Sequence, residues 1–157
     1  MTLDDLKLYF AYGSNMDENN FNKRLILSDL KHYGRMHGEL KGYKLEFNKK
    51  ASDNYRKGYA NITPDAGFIV EGVLYSIPNS GLKTLDTFEG VPYHYYRENI
   101  KVFIGNQFVN AVAYIANPNR LRKGLKPTKE YLQKLLAGRD LLSKEYYEKL
   151  LNVETLD

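Results

Sequence analysis

The chain has 157 residues, 43% of them hydrophobic, which suffices for one domain with a core but not comfortably for two. It contains no cysteine, which excludes disulfides, thiolate nucleophiles and thiolate metal sites. The N-terminus is acidic where a signal peptide would be basic, and no apolar run approaches the ~20 residues of a membrane span. We therefore expect a cytoplasmic protein with no membrane partner.

The formal net charge of +4 favours acidic small molecules as ligands, or nucleic acid if the charge is concentrated. The basic residues are not concentrated. Their densest groups are Lys49-Lys50, Arg56-Lys57 and the segment 120–126, and we expect all of them on solvated loops. The distribution of charge therefore predicts no nucleic-acid partner.

Strands are predicted through the first two thirds of the chain, where apolar and aromatic runs are bounded by Gly, Asn, Pro and Asp. The predicted strands cover residues 6–12, 40–47, 59–62 and 69–77. Residues 95–104 and 107–116 alternate on either side of Gly105-Asn106, which predicts a hairpin.

Helices are predicted after the first strand, in the middle of the chain and at its end. Asn15 or Asp17 is the predicted N-cap of a short helix running to Leu25. Ser80 is the predicted cap of a second helix, which ends at Gly90, and two further helices are separated near Gly138. This order of elements predicts a single α+β domain, residues 1–157, built on a mixed sheet or small barrel.

Two segments are candidates for a site. In LYFAYGSNM, a strand ends at Gly13-Ser14-Asn15, where consecutive backbone N–H groups either bind an anion or simply form a tight turn. In TFEGVPYHYYR, Glu89 lies at the end of a predicted helix. The negative potential there, together with any burial, raises the pKa of a carboxyl group and suits it to acid/base catalysis. An exposed glutamate is the alternative interpretation.

Most other catalytic signatures are absent from the sequence. The three histidines, His32, His37 and His94, lack metal-ligand spacing with carboxylates. No phosphate-binding loop, dinucleotide fingerprint or nucleophile elbow is present. We therefore expect no metal and no cofactor.

LYFAYGSNM and the later LDTFEGVPYHYYR together resemble the γ-glutamylcyclotransferase-like family. GYANI, VEGVLYSI and the C-terminal KPTKEYLQKLLAGRDLLSKEYYEKLL extend the resemblance over nearly the whole chain. The resemblance implies a small mixed β-barrel with flanking helices and a cavity at one end. It also implies a cofactor-independent enzyme that converts γ-glutamyl compounds to 5-oxoproline and releases an amine or amino acid.

Carried over residue by residue, the resemblance makes Glu89 the catalytic acid/base. It implies that the first loop and two tyrosines bind substrate: Tyr9, Phe10, Ala11, Tyr12, Gly13, Ser14, Asn15, Met16, Tyr96 and Tyr131. The crowding of aromatic residues after Glu89 leaves open which of Tyr93, Tyr95 and Tyr96 contacts substrate. For Tyr131, a core position on the apolar face of its helix is also open.

Two questions stay open at the level of sequence. The domain either turns over its ligand or only binds it, because a fold does not dictate a function. γ-Glutamyl amino acids, γ-glutamylamines and γ-glutamylated biosynthetic intermediates share the glutamyl half, so sequence does not separate them. We expect a small-molecule partner only, with the protein acting as a monomer or a homodimer.

Overall fold

Five strands close into a mixed β-barrel in the computed structural model, which describes residues 5–157. They are β1 Leu6–Ala11, β2 Arg35–Lys50, β3 Gly58–Pro78, β4 Tyr95–Ile104 and β5 Gln107–Ala116. The order around the barrel is β1-β3-β2-β4-β5, and the parallel pairing of β1 with β5 closes it. The predicted α+β class and small mixed barrel are confirmed. Residues 1–4, part of the acidic N-terminus, lie outside the described residues.

Four helices flank the barrel: α1 Glu18–Ile26, α2 Asn79–Phe88, α3 Lys129–Leu136 and α4 Lys144–Leu151. Short 3₁₀ turns occur at Ser14–Met16, Pro118–Arg120 and Arg139–Leu141. The break between α3 and α4 includes Gly138, as predicted. Within residues 5–157, none of the helices has the length and apolar character needed to cross a membrane.

Every segment predicted as a strand overlaps a strand of the barrel, but β2 runs over Arg35–Lys50 where only 40–47 was predicted. The β4–β5 hairpin has the predicted bounds, and Gly105 in its turn has a φ of +57°. The segments 59–62 and 69–77, predicted as separate strands, belong to the single strand β3. They form one strand because β3 stays paired with β2 on both sides of residues 65–68. Tyr43 pairs with Pro64 and Lys41 pairs with Ile69, so the pairing shifts register between them.

The helix caps are predicted correctly in one case and wrongly in another. Asp17 caps α1, accepting the backbone N–H of Asn19 at 3.0 Å and that of Asn20 at 3.4 Å. Ser80 is not the cap of α2. An N-cap at Ser80 would start the helix at Gly81, but the helix starts two residues earlier, at Asn79, because Pro78 already has the extended backbone of a cap position.

The core has two layers, one inside the barrel and one between the barrel and the helices. Alternation along β1 divides its residues: Phe10 and Tyr12 belong to the inner layer, and Tyr9 and Ala11 to the outer one. Both faces of the end of β1 are therefore buried. The loop that follows β1 starts from a rigid position at the boundary of the two layers.

Candidate active site

The loop after β1 offers three unused hydrogen-bond donors. Within its 3₁₀ turn, the Met16 N–H donates to Gly13 O at 3.0 Å and the Asp17 N–H donates to Ser14 O at 3.2 Å. The preceding backbone N–H groups of Gly13, Ser14 and Asn15 meet no acceptor within residues 5–157. Consecutive free amides of this kind favour an anion or a developing oxyanion. Met16, whose amide is used inside the turn, does not contribute.

Asn15 holds this loop in place from a buried position. Its Nδ2 donates to the Tyr9 hydroxyl at 3.0 Å, and its Oδ1 accepts from Asn20 Nδ2 at 3.1 Å. Its backbone oxygen accepts from the Tyr75 hydroxyl at 2.7 Å. Because these bonds lie within the protein, the loop keeps its conformation without a ligand.

Glu89 is fixed by the way α2 ends. Gly90 follows it with a φ of +62°, its N–H donating to Thr87 O at 3.3 Å, and the Val91 N–H donates to Asp86 O at 3.0 Å. These two bonds form a Schellman cap, which needs a left-handed residue at the Gly90 position. A Cβ at Gly90 would also lie 2.7 Å from His94 Cδ2. Glycine therefore meets two requirements beside Glu89.

The carboxyl group of Glu89 is largely buried, with 17% of the side chain exposed. Burial raises the pKa of Glu89 to about 7, although the nearby cations Arg24 and Lys49 act in the opposite direction. Its Oε1 lies 3.9 Å from Arg24 Nη1. A carboxyl group with this pKa changes protonation state near neutral pH and suits general acid/base catalysis.

Glu89 and the loop meet in a narrow space of about 40 Å³, here called the inner recess. Two tyrosine hydroxyls bind the backbone of Ala60 in this recess. Tyr95 donates to Ala60 O at 2.9 Å, and the Ala60 N–H donates to the Tyr131 hydroxyl at 3.1 Å. Burial raises the pKa of both tyrosines, so their hydroxyls stay neutral. The residues lining the inner recess are Tyr9, Tyr12, Gly13, Ser14, Asn15, Ala60, Glu89, Tyr95, Tyr114 and Tyr131.

The structure brings seven of the eleven sequence-predicted site residues into the inner recess: Tyr9, Tyr12, Gly13, Ser14, Asn15, Glu89 and Tyr131. Phe10, Ala11 and Met16 lie in the core instead. Tyr95 lines the recess, whereas Tyr96 does not and Tyr93 is 72% exposed. Alternation alone favoured Tyr96 because it shares the parity of the barrel-facing Ile100, but near the site the other face of β4 is buried as well.

A larger space of about 390 Å³, here called the outer cavity, adjoins the inner recess. The two spaces share Ser14, Glu89, Tyr95 and Tyr131. The other residues lining the outer cavity are Arg24, Lys49, Tyr59, Thr87, Phe88, Gly90, His94 and Lys134. Glu89 is therefore accessible from two sides, one rich in neutral hydroxyls and amides and the other rich in cations.

The prediction that Lys49 lies on a solvated loop is wrong. Lys49 belongs to β2 and only 4% of its surface is exposed. The β2–β3 ladder shifts register between Glu46 and Lys49, which changes how side chains project near the end of the strand. The sequence carries no signal for that shift, and Lys49 is the most buried cation of the site that sequence reasoning missed.

Comparison with known proteins identifies the family to which the chain belongs. The family described as gamma-glutamyl cyclotransferase, AIG2-like, matches residues 9–134, a span that includes the loop, Glu89 and Tyr131. The chain belongs to this family.

Sequence relatives of this cyclotransferase-family chain carry the same name. A putative gamma-glutamylcyclotransferase of Bacillus subtilis, YkqA, is 34% identical over 153 residues, which cover 90% of this chain and 50% of the relative. The gamma-glutamylcyclotransferase of Bos taurus is 28% identical over 155 residues, covering 96% of this chain and 80% of the bovine protein. The chain thus spans half the length of the bacterial relative.

Solved structures share the cyclotransferase fold. A gamma-glutamyl cyclotransferase structure superposes with a TM-score of 0.84 at 26% identity, covering 98% of this chain and 90% of that one. The crystal structure of the Bacillus subtilis protein YkqA gives a TM-score of 0.79 at 28% identity, covering 96% of this chain and 56% of that one.

Proposed function

We propose that this protein converts a γ-glutamyl compound to 5-oxoproline and a free amine, with Glu89 as general acid/base and no cofactor. One observation carries the proposal. A buried carboxyl group with a pKa of about 7 lines the same recess as the backbone amides of Gly13, Ser14 and Asn15, which have no acceptor among the described residues. The family and the names of the relatives support the same activity.

In the proposed reaction the nucleophile is the substrate's own α-amine. Its nitrogen attacks the γ-carbonyl carbon, and the bond from that carbon to the departing nitrogen breaks as the five-membered lactam closes. If the substrate is written with an α-ammonium group and the released amine as an ammonium ion, two protons pass from the α-nitrogen to the departing nitrogen. No proton is then consumed overall. Holding the glutamyl chain curled keeps the amine beside the carbonyl carbon. Such intramolecular positioning lowers the activation barrier by roughly 7–11 kcal/mol in well-aligned cases.

Glu89 and the loop amides take complementary parts in this proposal. Ionised Glu89 accepts one proton from the α-ammonium before attack and delivers it to the departing nitrogen. After attack, Glu89 accepts the second proton from the same α-nitrogen, and this proton passes to the released amine. The Gly13–Asn15 amides bind either the developing oxyanion or the substrate's α-carboxylate, since both are anionic and the loop is already ordered. The loss of one oxyanion donor typically costs roughly 3–4 kcal/mol of transition-state stabilisation.

The direct test is incubation of the purified protein with a panel of γ-glutamyl compounds, with 5-oxoproline measured by mass spectrometry. We expect 5-oxoproline and the matching amine in equal amounts, without added metal or cofactor. Saturable binding of γ-glutamyl compounds with no 5-oxoproline from any of them would instead identify a non-catalytic binding domain.

A further inference from the structure

The outer cavity carries cations that the protein itself does not neutralise. Its cationic residues are Arg24, Lys49 and Lys134, and its one carboxylate is Glu89. Arg24 lies 3.9 Å from Glu89 and compensates it. Within residues 5–157, no carboxylate lies within ion-pair distance of Lys49 or Lys134. Two positive charges are therefore left over beside the catalytic carboxyl.

Lys49 is the informative one, because a buried ammonium is costly without a counter-ion. Its Nζ donates to Lys50 O at 2.9 Å and lies 2.8 Å from His94 Nδ1. Burial and the neighbouring Lys49 lower the pKa of His94, so the neutral ring accepts from the ammonium. Both partners are uncharged, and the third N–H of Lys49 has no acceptor among the described residues. The Tyr59 and Tyr95 rings, 5.8 and 5.6 Å from Nζ, are neutral as well, and burial lowers the pKa of Lys49 to about 8. Near pH 7 the side chain is therefore still mostly an ammonium, and it has no anionic partner among the described residues.

The two spaces divide the substrate between them. Ser14 and Glu89 line both spaces, so the γ-carbonyl that reacts belongs at their junction. The inner recess is narrow, and its free amides and neutral hydroxyls suit the constant glutamyl half. The amine half differs between substrates and must leave, which suits the larger outer cavity.

From this charge distribution we infer that the outer cavity is an anion-binding subsite for the amine half of the substrate, with Lys49 and Lys134 as its specificity-determining residues. The inference rests on the proposed function. The substrate class it names is a γ-glutamyl compound whose released amine carries two carboxylates, one for each uncompensated cation. A neutral alkylamine leaves both cations unpaired.

The test compares kcat/KM for three probes that share the glutamyl half: γ-glutamyl-glutamate, γ-glutamyl-glutamine and γ-glutamyl-propylamine. Their amine halves carry two, one and no carboxylates. We expect kcat/KM to fall in that order by roughly 3- to 30-fold per carboxylate, between the effects of an exposed ion pair and a buried charged hydrogen bond. Raising the salt concentration to 1 M, where the Debye length is ~3 Å, should reduce the preference for glutamate over glutamine.

Substitutions of individual lysines show which residues cause the preference for carboxylates. Lys49→Met should lower the ratio of kcat/KM for γ-glutamyl-glutamate to kcat/KM for γ-glutamyl-propylamine by roughly 10- to 100-fold, and the ratio is compared because loss of the Lys49 charge beside Glu89 acts on all three probes alike. Lys134→Gln, at a half-exposed position, should act in the same direction by a smaller factor and carries the test if Lys49→Met does not fold. Lys101→Gln removes the same charge from an exposed position on β4 and should not alter the order of the probes.

The possible failures are distinguishable. If none of the three probes gives 5-oxoproline, the proposed function falls and this inference falls with it. Equal kcat/KM for the three probes would overturn the anion subsite and leave the cyclotransferase activity standing. An unchanged ratio in Lys49→Met would also overturn it, because Lys49 would then act only on Glu89 or on the glutamyl half that all three probes share.

Discussion

Glu89 combines three features in one side chain: burial, a cation at 3.9 Å and a position shared by both spaces of the site. Glu89→Gln keeps the size and hydrogen-bonding shape of the side chain but removes the proton carrier. Turnover should fall by about 10²–10⁴, the usual contribution of general acid/base catalysis. Release of 5-oxoproline measures the loss, and circular dichroism checks the fold. A folded Glu89→Gln protein with turnover near wild type is incompatible with the proposed mechanism.

Protonation of Glu89 should also set the pH profile. Because the proposed base acts in its ionised form, kcat/KM should rise with pH through an apparent pKa of about 7 rather than that of a free glutamate. Arg24 favours the ionised form, so Arg24→Gln should move the rise to higher pH. The comparison needs kcat/KM between pH 5 and 9, because kcat/KM reports the pKa of the protein without bound substrate. A rise centred near pH 4.5 in wild type, or no displacement in Arg24→Gln, contradicts the assigned base.

At the scale of elements, helix α2 positions Glu89 through its C-terminal cap. Gly90→Ala places a Cβ at a φ of +62° and 2.7 Å from His94 Cδ2, so the cap is strained and the His94 side chain must move. We expect a lower Tm together with a fall in kcat of roughly tenfold or more, since small displacements of reacting groups are costly.

The chain offers a matched control for this substitution. Gly105, in the β4–β5 turn, has a similar φ of +57°, but nothing lies within 4 Å of a Cβ built there. Gly105→Ala should therefore lower Tm and leave kcat unchanged. If both variants lose activity in proportion to stability, the cap of α2 has no special part in placing Glu89.

At the scale of the whole molecule, the burial of Glu89 makes stability depend on pH. The pKa of Glu89 is about 7 in the folded protein, against an ordinary value of 4.5. The folded state therefore binds this proton more tightly than the unfolded chain does. The stability contributed by the protonated form is therefore complete below pH 4.5 and is lost as pH rises through 7.

Removing the carboxyl group should remove this dependence. The Tm of wild type minus that of Glu89→Gln should decrease steadily from pH 4.5 to 8 in thermal denaturation. Glu130→Gln, which alters an exposed carboxyl on α3, is the control. A Tm difference for Glu89→Gln that is constant with pH would show that folding does not perturb this group.

Features that a few neighbouring residues determine were predictable from the sequence, whereas features that depend on residues far apart in the chain were not. The β4–β5 hairpin and the Asp17 cap were predictable because a few adjacent residues determine them. Glu89 and the loop were predictable from the motifs that resemble a family. Tyr95 and Lys49 were not, since one depends on helices covering the outside of β4 and the other on a register shift in β2.

The Ala60 peptide, held between the hydroxyls of Tyr95 and Tyr131, has a consequence for the newly made chain. Tyr131 belongs to α3, which the ribosome produces only after every strand of the barrel. At ordinary rates of synthesis, Ala116 at the end of β5 precedes Tyr131 by on the order of one second. Over that interval all five strands and Glu89 have been synthesised, but one wall of the inner recess has not. A nascent chain therefore gains its complete site only when α3 has emerged and docked.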